Sequence, residues 1–140
     1  MKKTIRRMWI AMLTAMIISV PVMAEIESDD KSKGEIESTW DGPVLNRVNG
    51  TVMGPSGKET YYNLDMSGVV SIMRGMGNTD EYWVREDGCK MLGDYIMCAA
   101  NLDVHPRGSL VESSLGTCIV CDTGGFAAAN PNQLDIAVNW

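Results

Sequence analysis

Two aspartates near the C-terminus have the residue types and spacing of a chemical site. Asp122 ends an apolar run and begins the sequence Asp-Thr-Gly-Gly at 122–125, and Asp135 lies within the apolar segment Leu134–Ile136. A carboxylate in a strand is costly to bury unless it is hydrogen-bonded or used, and paired glycines let another molecule approach the backbone closely. A buried acid beside a second carboxylate keeps its proton to higher pH and can donate it to a leaving oxygen. The pattern therefore indicates general acid chemistry.

Short strands between turns, with one helix, are predicted to position these aspartates. Apolar side chains at helical spacing predict a helix that starts near Asp65 or Ser67, ends at Gly77 and buries Val69, Ile72, Met73 and Met76. Apolar runs between turn residues predict strands at 82–85, 94–102, 110–113, 117–121 and 134–138. Many short strands with one helix are typical of a small closed barrel or sandwich.

The N-terminal 24 residues have the pattern of a secretory signal sequence. Four basic residues at positions 2–7 precede an apolar run over 8–20, and small residues follow at 22–24. We expect cleavage before Glu25 and a secreted, cell-envelope protein, with an uncleaved membrane anchor as the alternative. The first cysteine is Cys89, so no lipid-bearing cysteine follows the cleavage site and no stable membrane anchor is expected after cleavage.

Charge excludes one large class of partners. The full chain has a formal net charge of −6, and its first 24 residues hold four basic residues and no acidic one, so the mature chain is near −10. Nucleic acid is therefore not an expected partner.

Residues 25–42 are acidic and nearly devoid of apolar side chains, which predicts a disordered leader, and residues 43–140 form one small domain.

Four cysteines in an exported domain favour two disulfides over a zinc site, because only one close cysteine pair is present. Cys118 and Cys121 lie in a predicted strand, where residues three apart face opposite ways and cannot pair with each other. Both would pair with Cys89 and Cys98, in either combination. A thiol oxidoreductase is the minor alternative for this Cys-x-x-Cys sequence.

The C-terminal forty residues resemble the three-aspartate ("3D") domain of double-psi β-barrel proteins, which includes membrane-bound lytic transglycosylase A and small exported firmicute proteins. The resemblance depends on 122–125, on Leu134–Ile136, and on the run from Ala99 to the turn at 106–109. It implies a mainly β fold: a six-stranded double-psi β-barrel with one or two short helices.

The resemblance also implies an activity, the lytic cleavage of peptidoglycan strands by a single catalytic aspartate. Asp135 matches the catalytic acid and Asp122 its neighbour, and the substrate-binding positions are Asn101, Thr123, Gly124 and Gly125. In such enzymes the acid protonates the glycosidic oxygen and then acts as base, while the sugar's own 6-hydroxyl attacks to give a 1,6-anhydro product. The expected partner is peptidoglycan, the expected state is a monomer, and no metal or organic cofactor is required.

Two features depart from the family pattern. Its first aspartate falls on Asn101, with Asp103 as a nearby surface acid, and the connection from Asp122 to Asp135 is longer than in the family and lacks a lysine common there. An amide can maintain a hydrogen-bond network but cannot share a proton.

Three alternatives stay open from the residues alone. The segment 122–125 is also typical of an Asx turn, with the domain only binding glycan. The sequence Asp-Thr-Gly also occurs in aspartic peptidases, which would require a symmetric dimer here. Trp40, Trp83 and Trp140 could stack on sugars, although such tryptophans usually cover a core edge. His105 is assigned no role.

Overall fold

Eight short segments form the sheet of the computed structural model, which describes residues 39–140. The strands are β1 (Thr51–Gly54), β2 (Gly57–Tyr62), β3 (Tyr82–Val84), β4 (Lys90–Leu92), β5 (Tyr95–Ala99), β6 (Leu110–Ser113), β7 (Gly116–Asp122) and β8 (Leu134–Ala137). The outer strands β1 and β6 alternate between buried and exposed residues, whereas the inner strands β4, β5 and β7 are buried almost throughout. Helix α1 (Ser67–Gly75) connects β2 to β3, and α2 (Phe126–Ala129) connects β7 to β8. The predicted signal sequence and nearly all of the predicted leader lie outside the described residues.

The sheet is mixed and open. Its strands follow the order β1-β2-β8-β5-β4-β3, and β7 pairs with both β5 and β6. The pairs β2–β8 and β5–β7 are parallel, and the others are antiparallel. The expectation of a mainly β fold with one or two short helices is confirmed. The closed six-stranded barrel is not confirmed, because residues 39–140 contain eight strands and their sheet does not close.

β5 is the central strand of this arrangement. It pairs with β4 through Tyr95 and Ile96, with β8 through Cys98 and Ala99, and with β7 from Ile96 to Ala99. Its register with β7 shifts between Cys98 and Ala99, so that Cys98 lies opposite Val120 and Ala99 opposite Asp122. This irregularity brings the end of β7 level with the last residue of β5.

Two apolar cores lie on opposite faces of the sheet, because successive strand residues point to opposite sides. The first core contains Ile96, Cys98, Leu134 and Ile136 among others, and the second contains Met97, Ile119, Ala137 and the buried side of α1. In α1, Val69 and Met73 are buried, but Ile72 and Met76 are exposed. The prediction that all four side chains are buried was therefore wrong for Ile72 and Met76, because the helix packs against the sheet through one side only.

Strand β2 is fastened to the β6–β7 turn by a buried acid that the sequence did not single out. Glu59 is fully buried and accepts hydrogen bonds from the Ser114 N–H at 2.8 Å and the Ser114 hydroxyl at 2.6 Å. Gly54 lies against the Glu59 carboxylate, so that no side chain fits there. Burial raises the pKa of Glu59, and the Ser114 contacts oppose that rise.

Candidate functional site

Asp135 lies on β8, between β2 and β5, and its side chain is on the face of the sheet that packs against the second core. Its neighbours across the ladder are Thr60 of β2 and Ala99 of β5. Leu134 and Ile136 on either side of it are fully buried in the first core. Because strand side chains alternate, Asp135 points to the other face, beside Ala137, and remains only half-buried.

Asp122 lies at the end of β7 and also pairs with Ala99, from the opposite side of β5. The two aspartates therefore flank one alanine, on strands separated by roughly 10 Å. Residues paired directly across a ladder share a face, so both carboxylates belong to the second-core side. The structure thus brings together the two acids that the sequence predicted.

A directed hydrogen-bond chain reaches the Asp135 carboxylate from β2. The Gln133 side-chain amide donates to Thr60 Oγ1 at 2.8 Å, and the Thr60 hydroxyl donates to Asp135 Oδ1 at 2.9 Å. A hydroxyl has a single proton, so the Thr60 Oγ1 that accepts from Gln133 gives its own proton to Asp135. Oδ1 is therefore an acceptor, and a proton on Asp135 belongs on Oδ2.

Asp122 has its own partners. Tyr62 Oη donates to Asp122 Oδ2 at 3.1 Å, and the Thr123 N–H donates to Oδ1 at 2.9 Å. Burial, followed by the charge of Asp122, raises the pKa of Tyr62, which keeps its phenol protonated as a donor. The Thr123 N–H belongs to the next residue, whereas an Asx turn uses the N–H two residues on, so this contact is not the Asx turn that the segment allows. The contact with Tyr62 connects Asp122 to β2.

Burial is also the main cause that raises the pKa of Asp135 above its ordinary value. The Asp122 carboxylate raises it further, and the hydrogen bond from Thr60 opposes the rise. A carboxylic acid that holds its proton more tightly than usual is suited to donate it to a leaving group.

The predicted substrate-binding residues lie near one shallow cleft of about 420 Å³. Asn101, Thr123 and Gly124 line it, whereas Gly125 does not. Asp103 is the acid in its lining, and neither Asp122 nor Asp135 is part of it. Asn101 donates to the Ala127 carbonyl at 3.1 Å and accepts from the Asp103 N–H at 2.9 Å. Asn101 therefore joins its loop to α2.

The glycine pair does not use a left-handed backbone. Neither Gly124 nor Gly125 has a positive φ, and Gly125 is the residue that precedes α2 with a right-handed helical backbone. A side chain at Gly124 would meet the Phe126 ring at 3.2 Å, whereas nothing lies within 4 Å at Gly125. Only Gly124 is in a closely packed position.

The expected disulfides are absent. Cys89, Cys98, Cys118 and Cys121 are buried free thiols, and no two are at bonding distance. Cys118 lies in the first core and Cys121 in the second, as their spacing predicts. Cys98 lies opposite Val120, diagonal to Cys118, and its thiol is hydrogen-bonded to the Cys118 thiol without a bond between the sulfurs. Burial raises the pKa of Cys89 and of Cys121 to about 12, which suppresses the thiolate that redox chemistry needs.

The three tryptophans within residues 39–140 each donate a hydrogen bond to a backbone carbonyl. Trp83 and Trp140 pack against the first core, and their indole N–H groups donate to the carbonyls of Gly93 and Asp87. Trp140 also meets Tyr61 edge to face, with ring centroids 4.9 Å apart. The Trp40 indole donates to the Pro43 carbonyl.

The sequence analysis did not predict Thr60, Tyr62 and Gln133 as residues of the site. The signal that was available is the alternation along β2, in which Lys58, Thr60 and Tyr62 share one face and Glu59 and Tyr61 the other. The Gly-Pro-Ser-Gly turn at 54–57, which connects β1 to β2, would have identified the hairpin.

Within residues 39–140, no group of three or more histidine, cysteine or acidic side chains is arranged to hold a metal ion. In the same part of the chain, no helix has the length and apolar character needed to cross a membrane. No family model, curated protein or solved structure matches the chain.

Proposed function

We propose that this chain is an exported, peptidoglycan-cleaving enzyme of the three-aspartate class, in which Asp135 is the catalytic acid. The observation that carries the proposal is the pair of carboxylates on one sheet face, both opposite Ala99, with the pKa of Asp135 raised by burial and by Asp122. The resemblance of the C-terminal segment to that family supplies the substrate class.

A double-psi β-barrel is part of the proposal. Two parallel pairs, β2–β8 and β5–β7, lie within an otherwise antiparallel sheet, and β5 contacts three other strands. Such a crossing of strands is compatible with the psi-shaped connections of that fold. The sheet is open, whereas a complete barrel is closed.

The proposed reaction uses one acid twice. Asp135 gives the proton on Oδ2 to the glycosidic oxygen, and the bond between that oxygen and the anomeric carbon breaks. The resulting carboxylate then removes the proton of the 6-hydroxyl on the same sugar, whose oxygen bonds to the anomeric carbon. The proton returns to Asp135, no water is consumed, and the product is a 1,6-anhydro sugar. Thr60 keeps the Oδ1 atom an acceptor throughout.

Mass spectrometry of soluble products tests this reaction. The mature wild-type chain and its Asp135→Asn and Asp94→Asn variants are incubated with purified peptidoglycan. Asp94 is an exposed acid in the turn between β4 and β5 and provides the matched control. We expect anhydro products from the wild type and the control, and a loss of at least about 100-fold in Asp135→Asn.

Two other outcomes would contradict the proposal. Products with a free reducing end would show hydrolysis by water in place of intramolecular attack. The absence of products from every variant, with equal sedimentation of each onto peptidoglycan, would show a glycan-binding domain without catalysis.

A further inference from the structure

Tyr62 makes a hydrogen bond that crosses the candidate site from one side to the other. It lies at the end of β2, on the face that carries Thr60, and its ladder partner on β8 is the fully buried Ala137. Its phenol reaches the Asp122 carboxylate on β7, although β8 and β5 lie between β2 and β7 in the sheet. The Tyr62 ring packs against the second core, so the side chain lies over the sheet face that both aspartates share.

Asp122 is held by neutral hydrogen-bond donors and not by a cation. Within residues 39–140, neither Asp122 nor Asp135 forms an ion pair. The other titratable groups on the neighbouring elements are Lys58 on β2, Cys98 on β5, Cys121 on β7 and Arg107, which donates to the Cys121 carbonyl. The Asp122 carboxylate therefore depends on hydrogen bonds, and these come from the Tyr62 hydroxyl and the Thr123 N–H.

Three of the four carboxylate oxygens in the pair already accept a hydrogen bond. Asp122 accepts at both of its oxygens, and Asp135 accepts at Oδ1 from Thr60. Asp135 Oδ2 receives no donor from residues 39–140, and no buried side-chain oxygen of that region lacks a partner, so this atom faces solvent. A protonated carboxyl oxygen becomes a donor and competes with any donor that points at it. Asp135 Oδ2 is therefore the one oxygen of the pair on which a proton displaces nothing.

Tyr62 is the side chain that distinguishes the two aspartates. The Thr123 N–H belongs to the backbone, whereas the hydroxyl depends on a tyrosine at position 62. Burial, and after it the charge of Asp122, raises the pKa of Tyr62, so the phenol keeps its proton at neutral pH and above. A phenol that stays neutral is a permanent donor, and donation to a carboxylate favours the charged form of that carboxylate.

We propose that Tyr62 is a positioning residue, which keeps Asp122 an ionised acceptor and thereby reserves the proton of the pair for Asp135 Oδ2. In the first half of the reaction, the proton then stands on the one oxygen that is open to a substrate. In the second half, the proton removed from the 6-hydroxyl returns to Asp135, because both oxygens of Asp122 are occupied. This inference rests on the proposed function, since it assigns a role within that site.

Carbon NMR of the carboxyl groups, recorded from about pH 2 to pH 9 without substrate, tests this assignment. The variants are Tyr62→Phe, which removes only the hydroxyl, and Tyr61→Phe as a matched control. Tyr61 is the neighbouring residue of β2, but it packs against the first core and meets Trp140 edge to face. Asp122→Asn, alone and combined with Tyr62→Phe, shows whether the hydroxyl acts through Asp122.

We expect the pair to titrate in two separate steps in the wild type and in Tyr61→Phe. Tyr62→Phe should bring the two steps closer by about 0.5–1 pH unit, because the ionised aspartate loses one of its donors. In Asp122→Asn a single step remains, and the addition of Tyr62→Phe should move it by less than about 0.3 pH unit. The wild type gives a check that needs no variant, because the ring-carbon shift of Tyr62 should follow the lower of the two steps.

Three results would overturn the inference. The first is an unchanged separation of the two steps in folded Tyr62→Phe. The second is a shift of the Asp135 step that is as large in the combined variant as in Tyr62→Phe, which would show an effect that does not pass through Asp122. The third is a Tyr62 ring signal that follows the upper step, which would place the proton on Asp122.

Product analysis separates this inference from the proposed reaction. If anhydro products form through Asp135 and the two steps do not change in Tyr62→Phe, only the role of Tyr62 is wrong. If the steps converge and the wild type gives no anhydro product, the reaction is wrong while the assignment of the proton stands. If the steps do not change and no product forms, both are wrong.

Discussion

Replacing Glu59 by alanine should strongly destabilise the fold, because this side chain fastens β2 to the turn after β6. The substitution removes two hydrogen bonds to Ser114, leaves the buried Ser114 N–H without its acceptor, and removes one buried methylene group together with the carboxylate. An unsatisfied buried donor costs about 1–3 kcal/mol, and each buried methylene contributes about 0.8 kcal/mol. We expect a loss of about 2–4 kcal/mol in the free energy of unfolding.

Urea denaturation of the wild type, Glu59→Ala, Ser114→Ala and the double variant measures this loss. Because both single changes remove the same contact, the double variant should be less destabilised than additivity predicts, by about 1 kcal/mol. Glu59→Gln keeps the volume and should cost less than Glu59→Ala. A cost below about 1 kcal/mol for Glu59→Ala, with an unchanged denaturant slope, would refute the reasoning.

The pH dependence of stability gives a second measurement at the same residue. The folded-state pKa of Glu59 is raised above its ordinary value of 4.5, so the folded chain holds this proton more tightly than the unfolded chain. The associated stability is fully present below the unfolded pKa and is lost as pH rises through the folded pKa. Relative to Glu59→Gln, the wild type should therefore become less stable as pH rises from about 4 toward neutrality.

Three further predictions concern the site and the thiols. Thr60→Val removes the hydrogen bond that opposes the raised pKa of Asp135, so this pKa should rise further, and carbon NMR of the carboxyl group should show it, with Thr60→Ser near the wild type. Asp122→Asn removes a like charge, so the pKa of Asp135 should fall and the alkaline limb of any cleavage profile should move to lower pH. An unchanged profile would contradict the coupling. Cys89 and Cys121 should react with a thiol reagent only when the chain unfolds, and rapid labelling of the native protein would contradict their burial.

The two acids of the candidate site were predictable from the sequence, but their hydrogen-bond partners were not. Asp122 and Asp135 were identified because each follows or interrupts an apolar strand, which is a local signal in the sequence. Thr60 contributes from 75 residues away, on a strand whose polar residues gave no apolar run. Its contact with Asp135 exists because β2 pairs in parallel with β8, and such long-range pairing has no local signature.

The cysteines show the same limit. Their spacing correctly predicted that Cys118 and Cys121 face opposite ways, because strand alternation is local. Whether either one meets Cys89 or Cys98 depends on strand order and register, which place Cys98 diagonal to Cys118 and leave all four as thiols. Composition favours bridges in exported domains, but bond formation requires a specific geometry that composition does not contain.

Sequence alone determined the mainly β character, the position of α1 and the two acids, because strand alternation, helical spacing and the cost of a carboxylate among apolar residues act within a few positions. Tertiary structure decided that both acids flank Ala99 and that Thr60 and Tyr62 are their partners. These arrangements arise from pairing between distant strands. The energy that selects such pairing belongs to the whole packed chain, and no short segment of the sequence specifies it.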